Sequence, residues 1–437
     1  MVNGGKPLKI IIAILMCVLI IGCAPQTGTE IDKTPAPPSD LTQAPVTDQP
    51  EDVPVDKTEP PNNDETQTNL EENRIKEILV SMTLEEKLGQ LLVVGYPNDG
   101  EVSQMIQDHK VGGIVLFSRN YNNFDELYSL TKQLKDLNKE NKLPLWIALD
   151  EEGGTVSRLP KGKTPIPNAK DVGFYNDENI TKATGRIIGE EMAAAGANLD
   201  LAPVIDIVKD PNNKLMIKRS YGSTPEMVSV HGIAFLEGLQ ETGVVGCAKH
   251  FPGHGDTIVD SHLGMPIINK SYDAWWQRDA VPFQEIIDAG ANMIMIGHLA
   301  YPEIDPSGLP ASQSTVFMKD ILRDRMGFEG IIITDDLEML GYPQGDAMKE
   351  AVVISFLAGV DIFAIGHTPS TQLNVLEALK EGTLSGKITE ERIDASIMRI
   401  IRAKIKLEQL PNYSLEEAKN IFGSKEHLKV ISALIGD

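Results

Sequence analysis

The stretch VVGCAKHFPGHGDTIVDSH, residues 244–262, is an apolar run that stops abruptly in a loop crowded with reactive side chains. Residues 244–248 lack polar alternation, as does a parallel strand covered on both faces. Lys249, His250, His254, Asp256, Asp260 and His262 then follow around a Pro-Gly turn. A core has no use for this mixture, because buried charges and imidazoles are costly unless paired. A loop that grips and attacks a polar ligand needs it.

The same pattern recurs along the chain. Short apolar runs occupy residues 91–95, 113–117, 145–149, 199–205, 244–249, 293–297, 330–334 and 360–365. Between them lie segments of helical periodicity, such as Leu127, Leu130, Leu134 and Leu137, or residues 225–239. Residues 74–80 also suggest a helix, and Thr83-Leu-Glu-Glu86 is a capping box that opens the next one. Strands alternating with helices in this number predict a (β/α)₈ TIM barrel. An open doubly wound sheet is the competing architecture. The polar residues favour the barrel, since Asp150, Asp206, Lys249-His250, His298, Asp335 and His367 each follow a different run. An open sheet would gather them mainly at one switch point.

The first 72 residues read differently. Lys6 and Lys9 precede an apolar run that ends at Gly22-Cys23, the pattern of a signal peptide over 1–22. Cys23 resembles the lipidated cysteine of a bacterial lipobox, although Ile20 and Ile21 depart from the usual residues. An ordinary signal peptide followed by a stray cysteine is the alternative. Residues 24–72 hold nine prolines, no aromatic residue, and twelve acids against two lysines, about −10 of the chain's formal −23. Such a segment cannot bury enough apolar surface to fold, so 23–72 is expected to be a disordered stalk. The acidity argues against a nucleic-acid partner. Cys17 leaves with the signal and Cys247 sits in an apolar run, so no disulfide is expected. The barrel is expected over 73–410, with a helical extension over 411–437.

Several residues can carry chemistry. Of Asp335 and Asp336, strand alternation predicts that only one enters the barrel mouth, as a nucleophile, base or metal ligand, while the other caps a helix. Asp260 and His262, two apart on an extended loop, can form a carboxylate–imidazole acid/base pair. Lys249 and His250 close their run and should face a ligand. His254 and Asp256 are expected mainly to brace the loop. In Asp150-Glu-Glu-Gly-Gly154, Asp150 can accept from ligand hydroxyls, one glutamate is expected to hold the loop, and Arg158 is a further candidate substrate contact. Arg219 is either a fork donor to a ligand or a loop ion-pair partner. His298 reads as a structural residue.

KHFPGHG, four residues, then DSH resembles the signature of bacterial β-N-acetylglucosaminidases of glycoside hydrolase family 3. The likeness extends to LFSRN at 116–120, DEEGG at 150–154, LAPVIDI at 201–207, RSYG at 219–222, HLAYPEID at 298–305 and TDDLEM at 334–339. The resemblance implies Asp335 as nucleophile, Asp260 and His262 as the acid/base dyad, and Asp150, Arg219, Lys249 and His250 as sugar contacts. It implies retaining hydrolysis through a covalent glycosyl-enzyme, with histidine where most retaining enzymes use a second carboxylate. No cofactor or metal is expected. Phosphate can replace water in such a site, which makes a phosphorylase one alternative. Longer family members carry a second α/β domain, whereas this chain continues only briefly past Leu410. The Cys23 anchor and stalk would place the enzyme outside the cytoplasmic membrane, which makes a muropeptide-type β-N-acetylglucosaminide the expected substrate. A metal-dependent barrel hydrolase using His250, His254, Asp256, Asp260, His262 and Asp335 is another alternative, although the spacing fits no compact zinc motif. A sugar-binding protein without catalysis is the third.

Overall fold

The computed structural model describes residues 63–257 and 264–435. Eight parallel strands close on themselves in sequence order. They are β1 Leu92–Gly95, β2 Gly113–Val115, β3 Trp146–Leu149, β4 Leu199–Asp200, β5 Val245–Phe251, β6 Met293–Ile296, β7 Ile331–Asp336 and β8 Ile362–Ile365. Each expected run supplies one strand, and the architecture is a (β/α)₈ barrel. Leu92, Val94, Ile147, Leu199, Ile294, Ile332 and Ile365 are all fully buried, as strands require when helices cover the outside and side chains fill the inside.

Two strands differ from the sequence reading. β4 stops at Asp200 rather than running to residue 205, because Pro203 has no N–H for the ladder; beyond it only a Val204–Lys249 bridge remains. On β7 the register to β8 shifts between Ile333 and Asp336. That irregularity breaks strict alternation, so Asp335 and Asp336 both line the mouth, and the expectation that only one could do so is corrected.

The helices follow their local signals. Thr83 and Glu86 form the capping box that opens Leu84–Gln90. Phe124–Asn138 buries Leu127, Leu130 and Leu134. Pro225–Gln240 starts with proline in its first turn behind the Thr224 cap. The expected stalk boundary at residue 72 is corrected: a helix already runs over Asn63–Ser81. Its carboxyl half is tied to the far end of the chain. Ile75 is buried, Arg74 pairs with Glu408 at 2.7 Å, and Arg402 reaches Glu72 at 2.7 Å. The signal sequence over 1–22, Cys23 and the first part of the stalk lie outside the described residues. Among the described residues, no helix is long and apolar enough to cross a membrane.

Residues beyond Leu410 form helices Leu415–Ile421 and Lys425–Ile435, which lie against helix Glu178–Ala194. Phe422 packs on Phe124 with ring centroids 4.2 Å apart. His427 is clamped between Glu191, 3.1 Å from Nδ1, and Glu190, 2.7 Å from Nε2. Burial alone would lower the imidazole's pKa, but the two carboxylates outweigh it and raise it to about 9. A raised histidine stabilises the fold fully below its unfolded value and loses that contribution as pH rises through its folded one. The melting temperature of His427→Gln should therefore lie below that of wild type near pH 6, and the gap should close by about pH 10. An equal gap at both pH values would show that the clamp does not depend on the proton.

Candidate active site

The carboxyl ends of the strands surround a cavity of about 300 Å³, lined by Phe117, Asp150, Arg158, Arg219, Lys249, His250, His254, Asp335, Asp336 and His367 among others. Six of the eight predicted catalytic and substrate-binding residues converge here: Asp150, Arg158, Arg219, Lys249, His250 and Asp335. The other two, Asp260 and His262, fall within 258–263 and lie outside the described residues.

Lys249 is the hub of the site. Its ammonium lies 2.7 Å from Asp150 Oδ1 and 2.8 Å from Glu152 Oε1, with the side chain only 2% exposed. Burial opposes the charge, yet the two carboxylates raise its pKa and keep it protonated. Glu152 in turn accepts a fork from Arg219, Nε at 2.7 Å and Nη2 at 2.6 Å. Burial alone would neutralise Glu152, but the Lys249 and Arg219 charges depress its pKa to about 2. Arg219 is thus both a cavity-lining cation and an ion-pair partner, and its planar fork is fixed before any ligand arrives. Arg158 Nη2 stands 4.0 Å from Asp150 Oδ2, close enough to bind the same ligand as that carboxylate.

Glu151 is the glutamate that holds the loop. It accepts from Ser157 Oγ, the N–H groups of Arg158 and Leu159, and Lys163 Nζ. Beneath it, burial raises the pKa of Asp200 well above the ordinary carboxyl range.

His250 is oriented by Asp206, which accepts from its Nδ1 at 2.7 Å and from its backbone N–H at 3.2 Å. The other oxygen of Asp206 takes the backbone N–H of His254 at 2.6 Å. Burial opposes ionisation of Asp206, but His250 and His254 with their donated bonds hold it charged. With Nδ1 donating to Asp206, His250 presents Nε2 to the cavity. The His254 ring also lines the cavity, beyond the bracing role expected of it. Asp256 does only brace, through Lys270 and a fork from Arg278. Gly255 is required by crowding: a Cβ there would come within 1.8 Å of the Ile207 carbonyl oxygen. Asn213 Nδ2 donates to the carbonyls of Gly255 and Thr257, anchoring the chain just before residues 258–263.

Asp335 sits at the end of β7. Its Oδ1 accepts the Asp336 N–H at 2.9 Å, and Oδ2 has no protein hydrogen bond among the described residues. Burial favours the neutral acid, but His250, His298, the Asp336 N–H and Lys249 together lower its pKa. The group is a carboxylate with one unencumbered oxygen, which is the form a nucleophile needs. Asp336 is occupied instead, accepting from the N–H groups of Glu338 and Gly366 and lying 3.2 Å from His367 Nε2. His298 is structural as expected, fully buried between Ser312 Oγ and the Asp336 carbonyl.

Of the residues named for the metal alternative, Asp256 is tied to Lys270 and Arg278 and His250 Nδ1 to Asp206, while Asp260 and His262 lie outside the described residues. Among the described residues no three metal-type ligands gather around one point. Sequence reading gave no site-building role to Glu152, to Asp206, which it placed only at the end of an apolar run, or to Asn213. Their partners lie 67, 44 and about 42 positions away, so no local pattern marks them.

A parallel barrel with a carboxylate, histidines and fixed cations lining its carboxyl mouth has equipment that a glycosidase can use. Residues 83–403 match the model of the glycosyl hydrolase family 3 N-terminal domain. The chain is 33% identical to β-hexosaminidase A of Pseudoalteromonas piscicida over 76% of its own length and 60% of that protein's. It is 36% identical to a β-hexosaminidase of Neisseria gonorrhoeae, over 64% of this chain and 77% of the relative. Among solved structures it resembles a family 3 β-N-acetylglucosaminidase from Paenibacillus, with TM-score 0.78 and 32% identity, covering 81% of this chain and 68% of that one. The chain belongs to glycosyl hydrolase family 3.

Proposed function

We propose that this chain is a retaining β-N-acetylglucosaminidase that removes terminal N-acetylglucosamine from cell-wall glycans. One observation carries the reading. At the mouth, Asp335 has a lowered pKa and one oxygen without a protein hydrogen bond among the described residues, while Lys249, Arg219 and Arg158 line the same cavity with Asp150. Asp150 and the cations bind the sugar hydroxyls, and His250 donates or accepts through Nε2. Asp335 attacks the anomeric carbon as the glycosidic oxygen leaves with a proton from His262, which Asp260 orients. An ester to Asp335 results. Water then attacks the same carbon, gives its proton to His262, and releases the sugar with its β configuration retained.

The test is proton NMR of an aryl β-N-acetylglucosaminide during the first minutes of cleavage. The β-anomer should appear first, and chelator should leave the rate unchanged. First release of the α-anomer would replace the mechanism with inversion. Accumulation of the sugar 1-phosphate in phosphate buffer would favour the phosphorylase.

The substrate proposal extends to location: a signal over 1–22, lipidation at Cys23 and an acidic tether would hold the barrel outside the cytoplasmic membrane. Cys23→Ala should shift the protein from the membrane fraction to the soluble one. Unchanged fractionation would remove the anchor.

A further inference from the structure

His367, which follows β8, is placed to act on the nucleophile through a chain of polar contacts. Arg119 Nη2 lies 3.0 Å from His367 Nδ1 and donates to the Gly366 carbonyl at 3.1 Å. A guanidinium can only donate, so Nδ1 must carry the lone pair and Nε2 the proton. That proton faces Asp336 Oδ2 at 3.2 Å. The arrangement is rigid on the other side as well. Arg119 lies 4.1 Å above the Phe117 ring, and the His367 ring stacks on Phe117 at 5.1 Å. Gly366 permits the close approach, because a Cβ there would stand 2.5 Å from Asp336 Oδ2.

The consequence falls on the two adjacent carboxylates. Asp336 accepts from the N–H groups of Glu338 and Gly366 through Oδ1, and its Oδ2 lies 3.2 Å from His367 Nε2. Its own N–H is donated to Asp335 Oδ1. Both carboxylates line the cavity. Without His367, Asp336 Oδ2 would lose its side-chain donor and be able to rotate toward the sugar, placing a second negative charge beside the first. The backbone that offers the Asp336 N–H would loosen with it.

We propose that His367, fixed by Arg119 on the Phe117 ring, is a positioning residue that holds Asp336 Oδ2 at the cavity wall so that Asp335 is the carboxylate left to present a free oxygen to the sugar. This rests on the reading of Asp335 as nucleophile. His367 is half exposed, so substitutions there should fold.

The experiment compares His367→Leu, His367→Gln and Arg119→Ala, with Asp335→Ala as reference, in steady-state cleavage of an aryl β-N-acetylglucosaminide. His367→Leu should lower kcat roughly 10- to 100-fold, the scale of a slightly misplaced reacting group, with KM changed far less. His367→Gln keeps an N–H donor for Asp336 and should recover most of that loss. Arg119→Ala should cost less than His367→Leu and add nothing on top of it, because both act through one bond. If His367→Leu turns over at the wild-type rate, or His367→Gln is as slow as His367→Leu, while Asp335→Ala is inactive, the positioning role is wrong and the nucleophile assignment stands. If Asp335→Ala keeps its activity, the nucleophile assignment itself fails.

Discussion

Asp335→Ala will lower turnover of an aryl β-N-acetylglucosaminide by roughly four orders of magnitude, the cost typical of removing a catalytic nucleophile. The loss should appear in kcat and in kcat/KM together, because the carboxylate adds little to substrate binding and makes its bond only in the transition state. Two features of the site point to this residue rather than its neighbour. Asp335 has one oxygen without a protein partner among the described residues, whereas Asp336 accepts from Glu338 and Gly366 through Oδ1 and has His367 Nε2 3.2 Å from Oδ2. The pKa of Asp335 is lowered despite burial. The variant also leaves space where the carboxylate stood, so azide should restore turnover and give the α-glycosyl azide. Near-normal activity in Asp335→Ala, or azide rescue confined to Asp336→Ala, would move the nucleophile to Asp336.

Glu152→Ala should be the most damaging substitution of a residue that never touches the reacting atoms. It would leave Lys249, 2% exposed, and Arg219, 16% exposed, as neighbouring cations without their shared carboxylate. Removing one member of a buried ion network typically costs about 3–5 kcal/mol, since the remaining charges stay desolvated. Asp150 would still hold Lys249, but Arg219 would lose both arms of its fork. A urea unfolding curve should move to clearly lower midpoint, and kcat/KM should fall roughly 100-fold as the sugar contacts drift. Glu152→Gln should be milder, because the amide oxygen can still accept one bond. A variant Glu152→Ala with wild-type stability and activity would show that solvent replaces the carboxylate without cost.

Much of this architecture is legible in the chain. Every apolar run became a strand because parallel barrel strands are covered on both faces, which leaves an uninterrupted hydrophobic signature. The mouth was legible for the same geometric reason: polar residues directly after such runs must emerge at the carboxyl rim. Limits arose where distant contacts decide. Residues 63–72 read as stalk by composition, yet they begin a helix whose later turns are fastened by Glu408 and Arg402, more than 300 positions away. Alternation predicted one aspartate in the mouth, and a register shift against β8 admits two. Glu152 and Asp206 look like ordinary acids locally. Only the folded chain brings Arg219 to one and His250 to the other.

The most direct test of the central claim is trapping of the covalent intermediate. A 5-fluorinated β-N-acetylglucosaminyl fluoride should inactivate the wild-type enzyme with a mass increase of one glycosyl group. Proteolysis and tandem mass spectrometry should then place the label on Asp335. A label on Asp336 or elsewhere, or turnover of the fluoride with no labelled protein at any time, would contradict the account.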